Sequence, residues 1–139
     1  MVNYSKSIIY KICCNDIEIK GEYVGSTCDF KSRKYNHKRN CNNPNTGRHH
    51  HLRVYKFIRE NGGWSNFSMI QIEEYDAKNK RHLESRERYW YEQLTPTLNS
   101  KKVGMTDDEI KIYRKNWVKA NPGRYKQKKS IWNKTYREK

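Results

Sequence analysis

Ser7 to Cys14 (SIIYKICC) is rich in β-branched and aromatic residues, and it predicts a strand. Asn15-Asp16 has turn chemistry, so Ile17 to Gly25 reads as a second strand closing a hairpin. A turn centred on residues 15 and 16 pairs Tyr10 with Gly21 and Ile8 with Tyr23. Tyr10 and Tyr23 then share a face as diagonal neighbours, about 7–8 Å apart. A slip of one residue would place them on opposite faces. Asp29 can cap a helix running to about Lys38. Residues 40–50 (NCNNPNTGRHH) have the composition of a loop. A second helix is expected from about His51 to Glu60, with Leu52, Val54, Tyr55, Phe57 and Ile58 as its apolar positions and Asn61-Gly62-Gly63 as its stop. Phe67 to Tyr75 predicts a third strand, and Ala77 to Leu94 a third helix that stops before Pro96.

Two polar features break this pattern. In the third helix Leu83, Trp90, Tyr91 and Leu94 follow one face, and Glu87 falls on it, four residues from both Leu83 and Tyr91. An inward carboxylate is costly unless it is paired or metal-bound. Glu87 therefore reads either as an ion-pair partner of Arg33 or another base, or as the single carboxylate of a divalent-cation site whose other ligands are substrate oxygens and water. In the first helix Arg33 and His37 are four residues apart and share a face. They are either part of a solvated basic helix, or a phosphate clamp beside an imidazole that relays protons. Tyr10 and Tyr23 read first as sheet aromatics. A tyrosine has an ordinary pKa of about 10 and needs nearby cations or a hydrogen-bonded imidazole to act as a base near neutrality.

Composition narrows the partner. A length of 139 residues suits one domain with an appendage, and 34% apolar residues imply a small core. A net charge of +15 points to a polyanion, with nucleic acid ahead of a membrane surface. The chain has no long apolar run, signal peptide or lipidation motif. The expected setting is intracellular. Cys13, Cys14, Cys28 and Cys41 lack CxxC spacing and are expected as free thiols. Charge is uneven. Residues 1–99 hold 17 basic and 11 acidic residues, a net +6, and residues 100–139 hold 13 and 4, a net +9. This predicts a compact domain over residues 1–100 and a basic arm over 101–139.

Taken in order, the polar residues resemble the GIY-YIG nuclease family. Ile8-Ile9-Tyr10 stands for the first triplet, with Ile where Gly is usual, and Tyr23-Val24-Gly25 for the second. Thr27, Arg33 and His37 follow at the family's spacing, and Glu87 precedes Pro96 and Asn99 in ERYWYEQLTPTLN as in the family's closing signature. The resemblance covers about residues 6–99. It implies an α/β (α+β) fold, with a small three-stranded antiparallel sheet flanked by helices, and a DNA endonuclease of homing or mobile-element type. Carried over residue by residue, it implies that Glu87 holds Mg2+ or Mn2+ and that Tyr10, assisted by His37, activates water. Arg33 would hold the scissile phosphate, Tyr23 would orient water or phosphate, and Asn99 would brace the site. Asn61-Gly62-Gly63-Trp64 with Phe67 is similar to members encoded by phages and large DNA viruses.

The arm alternates basic and aromatic residues in Tyr113–Trp117, Tyr125–Trp132 and Tyr136-Arg137, with a break at Asn121-Pro122-Gly123. Thr106 and the acids that follow it suit a helix start. Such an arm reads as a solvated helix or as a DNA-tracking one, and it resembles the short basic repeats that follow such nuclease domains. The cations expected against phosphates are Lys31, Lys34, Lys38 and Arg39 on the first helix, and Arg114, Lys115, Lys126, Lys128 and Lys129 on the arm. Three consecutive histidines, His49 to His51, could join Cys28 or Cys41 at a metal, although zinc-ligand spacing is lacking. The alternatives to a nuclease are a catalytically silent DNA-binding module of the same fold and, on the arm alone, an RNA-binding protein.

Overall fold

A computed structural model describes residues 2–100 and 105–136, so the first residues of the arm and Arg137 of its aromatic echo lie outside the described residues. The chain divides into two compact units, at residues 1–104 and 105–139. The first is an α+β unit with strands β1 (Ser7–Cys14), β2 (Glu22–Thr27) and β3 (Phe67–Tyr75), and helices α1 (Phe30–Asn42), α2 (Arg53–Glu60) and α3 (Lys80–Leu94). The sheet order is β2-β1-β3, antiparallel throughout, so the most apolar strand is central.

The first connection differs from the expected two-residue turn. Asp16 turns the chain by itself: its carboxylate accepts from the Glu18 amide at 2.9 Å and its carbonyl from the Ile19 amide at 3.1 Å. Gly21 then takes φ +144, and a Cβ there would sit 2.9 Å from the Phe57 ring. Residues 15–21 therefore stay out of the ladder, and Ile17 is exposed. Tyr10 pairs with Gly25 and Ile8 with Thr27, a register four residues from the expected one. Because four is even, Tyr10 and Tyr23 keep a common face as diagonal neighbours, with ring centroids 6.4 Å apart.

The helix ends follow their caps. Asp29 accepts from the Ser32 amide and starts α1, which continues to Asn42, four residues beyond Lys38. Leu52 remains extended after a short 3-10 turn over Gly47–His51, so α2 starts at Arg53 rather than near His51. Asn79 accepts from the His82 amide and delays α3 to Lys80, because the Ala77 amide is engaged by the carbonyls of Tyr4 and Tyr75.

The sheet carries a layer on each face. Tyr10 and Ile12 pack with Cys41, Val54, Tyr55 and Ile58 under α1 and α2. Ile9 and Val24 face Ala77 and Leu83, with Trp90 and Leu94 of α3 against them. At the end of α3, Thr95 adopts the left-handed conformation (φ 44) and sends the chain back along the outer edge of β2. There the Leu98 amide donates to the Glu22 carbonyl at 3.0 Å, which covers part of an otherwise open strand edge.

The second unit is a helix pair, α4 (Asp107–Ala120) and α5 (Pro122–Tyr136). Thr106 and Glu109 form a reciprocal capping box at the start of α4. Asn121 ends that helix, its side chain donating to the Trp117 carbonyl at 2.8 Å, and Pro122 opens the next as its first residue. None of residues 105–134 is buried.

Candidate active site

The site is assembled by cross-strand pairing. Tyr10 on β1 lies opposite Gly25 on β2, where a Cβ would come within 2.5 Å of the phenol oxygen. Gly25 is thus the space into which the Tyr10 ring fits. The Tyr10 hydroxyl is 2.7 Å from His37 Nε2 and accepts from Arg33 Nε at 3.2 Å. Arg33 and His37 are one turn apart on α1, so one helix face presents both to one phenol. Tyr23 completes an aromatic wall, its ring 5.5 Å from that of His37. Both tyrosines and the imidazole therefore lie under α1, and the solvated-helix reading holds only for its other face.

Burial governs the protonation states here. Tyr10 is fully inaccessible, and burial pushes its phenol far above the ordinary range, with Tyr23 adding to the rise and Arg33 opposing it. Tyr23 is raised for the same first reason, with Arg33 again pulling the other way. His37 is lowered to about 3 by burial and then by the Arg33 charge, so the imidazole is neutral at neutral pH.

Glu87 enters from α3, on the other side of β2. Burial raises its carboxyl to about 7, against hydrogen bonds from Ser26 that lower it; Glu84 raises it and Arg33 lowers it. A carboxylate so desolvated is a fit place for a small hard cation, whose charge would offset the cost of ionising it. Among the described residues no group of three or more His, Cys, Asp or Glu forms a cage. The fit is therefore to a cation that keeps water and substrate oxygens as its other ligands, as Mg2+ does.

Asn99 braces the strand and touches no reacting group. Its side-chain oxygen accepts from the Val24 amide at 3.0 Å, and its side-chain nitrogen donates to the Val24 carbonyl at 2.9 Å. This amide clip fixes β2 between Tyr23 and Gly25. Tyr55, read from the sequence as an apolar position of α2, is 3% exposed yet sets its hydroxyl 2.8 Å from His37 Nδ1. The helical spacing gives it a core face; only the docking of α2 against α1 shows that its oxygen meets the imidazole.

The histidine loop is tied down as structure. His50 Nδ1 lies 3.1 Å from the Asn40 carbonyl, and Arg59 donates to the carbonyls of Cys41 and His50. Cys28 meets Ser7 and Cys41 meets the Tyr55 carbonyl, and all four cysteines are free thiols. Lys31, Lys34, Lys38 and Arg39 are exposed on α1. On the helix pair Arg114, Lys115, Lys126, Lys128 and Lys129 are exposed, with Lys128 over the Trp117 ring at 5.1 Å and Lys129 over Tyr125 at 6.0 Å. No helix among the described residues is long and apolar enough to cross a membrane.

Residues 6–102 match the family model of the GIY-YIG catalytic domain. No curated protein and no solved structure matches the chain.

Proposed function

Because the chain belongs to the GIY-YIG family, whose catalytic domain is that of a DNA nuclease, we propose that it is a Mg2+-dependent DNA endonuclease of homing or mobile-element type, able also to use Mn2+. The observation that carries this reading is the hydrogen-bonded series Arg33, Tyr10, His37 near a half-buried, desolvated carboxylate. A binding module needs neither this hydrogen-bonded set nor a desolvated carboxylate. In a silent module a desolvated Glu87 would be a cost without a return.

Each side chain has a distinct part. Arg33 binds the scissile phosphate and offsets charge on its oxygens. In the free protein its guanidinium lies against the Tyr10 hydroxyl. Turning it toward a phosphate opens that hydroxyl to the attacking water. Tyr10 takes the water proton as its own passes to His37 Nε2. The phosphate also neutralises Arg33, one of the two causes that hold the imidazole pKa low, so the imidazole accepts more readily once DNA is bound. Tyr23 orients water or phosphate, and Asn99 holds β2 in place. Glu87 holds the metal ion, which when bound supplies Lewis-acid compensation for charge on the phosphate oxygens. The exposed cations of α1 and of the helix pair hold the DNA backbone, and the work is done inside a cell that carries the target DNA.

Glu87→Ala tests the reading. Incubated with supercoiled plasmid and Mg2+, the variant is expected to lose all cleavage while binding DNA as the wild type does, since one acid fewer does not weaken attraction to phosphate. Cleavage at the wild-type rate would remove Glu87 from the metal site. A wild-type protein that binds plasmid tightly and never cuts it would be the silent module.

A further inference from the structure

His37 stands between two phenols, one on each ring nitrogen: Tyr10 at 2.7 Å from Nε2 and Tyr55 at 2.8 Å from Nδ1. A neutral imidazole has one N–H and one lone pair, so one phenol donates to it and the other accepts from it. The neighbours of the phenols decide which. Tyr10 is fully buried, and its other partner is Arg33 Nε, a guanidinium that can only donate. The Tyr10 proton therefore has His37 Nε2 as its acceptor. Tyr55 has a more accommodating neighbour in Asn40, whose side-chain amide lies 3.5 Å from the phenol oxygen. An amide presents a donor or, turned over, an acceptor, so the Tyr55 proton has somewhere else to go.

We propose that Tyr55 is a positioning residue that holds His37 as the Nδ1–H tautomer, leaving the Nε2 lone pair for the proton of Tyr10. Tyr55 touches no reacting atom. It acts through the ring, as the oxygen partner of a histidine does when it fixes the tautomer and orientation of a working nitrogen. It also accepts the Nδ1–H of the imidazolium formed when the proton arrives. Without its oxygen, Nδ1–H is a buried donor with no partner, and the ring shifts toward the Nε2–H form. That form offers Tyr10 a hydrogen and no lone pair, which blocks the transfer.

The inference rests on the nuclease reading for its consequence, but its structural half is measurable in DNA-free protein. Long-range ¹H–¹⁵N correlation spectra of the wild-type side chain should show His37 with Nδ1 protonated and Nε2 bare. In Tyr55→Phe, which keeps the ring and its packing, the spectra should move toward Nε2–H. Single-turnover cleavage of plasmid with Mg2+ should fall about tenfold or more, with the Kd for a random-sequence duplex unchanged. Nε2–H in the wild-type spectrum overturns the proposal without any variant. So does a Tyr55→Phe protein that keeps the Nδ1–H tautomer and the wild-type rate. A wild type with the expected tautomer and no cleavage would instead refute the nuclease reading and leave the tautomer assignment standing.

Discussion

Tyr10, His37 and Tyr55 lie at most 3% exposed inside the first unit. In the helix pair Arg114, Lys115, Lys126, Lys128 and Lys129 all face solvent, and no residue from 105 to 134 is buried. Both regions are rich in ionisable groups, but burial makes them different instruments. Inside, desolvation moves Glu87 up to about 7 and His37 down to about 3, so proton affinity is set locally and geometry is exacting. Outside, the charges act through a screened, long-range field that needs no fixed geometry and falls with salt. One region suits chemistry on a phosphate; the other suits holding many phosphates.

The largest effect that sharpens this contrast is expected from Tyr10→Phe. The ring still fills the space opposite Gly25, so the fold survives, but the proposed proton path loses its middle member. Single-turnover cleavage should fall by about 10²–10⁴ with DNA affinity unchanged. Equal rates for variant and wild type across pH would take Tyr10 out of the mechanism and leave His37 acting alone.

The arm should respond in the opposite way. Deleting residues 104–139 removes 11 basic and 4 acidic residues, leaving 15 − 7 = +8. A folded nuclease with weakened DNA binding is expected, similarly weakened on unrelated sequences, because cations on phosphates position the protein without specifying sequence. The slope of log K against log salt should flatten by about 0.9 for each phosphate that the truncated protein no longer neutralises. A large drop in Tm with an unchanged salt slope would show instead that Trp117, Tyr125 and Trp132 serve the first unit's stability, and the contrast between the two regions would fail.

The smallest effect is a pair of opposed pH slopes in metal-free buffer. Glu87 is raised from 4.5 to about 7, so the native state binds the extra proton between those values. Its contribution is present below pH 4.5 and lost as pH rises to 7. His37 is lowered from 6.5 to about 3, so the unfolded state binds the extra proton there. Its contribution is present above pH 6.5 and lost as pH falls to 3. Each slope approaches about 1.4 kcal/mol per pH unit, and between 4.5 and 6.5 they oppose each other. Denaturant titrations should therefore show wild-type stability falling relative to Glu87→Gln as pH rises from 4.5 to 7, and falling relative to His37→Gln as pH drops from 6.5 to 3. Flat differences would mean that neither group is as desolvated as its burial implies.

Three strands were legible in the sequence because their signals are local, and the ordered polar set was legible through its resemblance to the family. β-branched and aromatic residues mark β1 and β3, Asp29 marks the start of α1, and spacing alone puts Arg33 with His37 and Glu87 with Leu83. The period of two also kept Tyr10 and Tyr23 on one face when the register moved by four, since parity survives an even shift. The register itself was not legible. Ile17 and Ile19 look like strand residues until Asp16 and Gly21 commit residues 15–21 to a loop, and pairing energy cannot be read from one strand. Nor could the chain by itself show that Tyr55 reaches His37, that Asn99 clips Val24, or that Glu87 is desolvated beside Ser26. The sequence alone determined which chemical groups are present and on which face of each element they lie. Tertiary structure decided which groups meet and how far each is withdrawn from water, because hydrogen bonding and desolvation depend on distances between elements far apart in the chain.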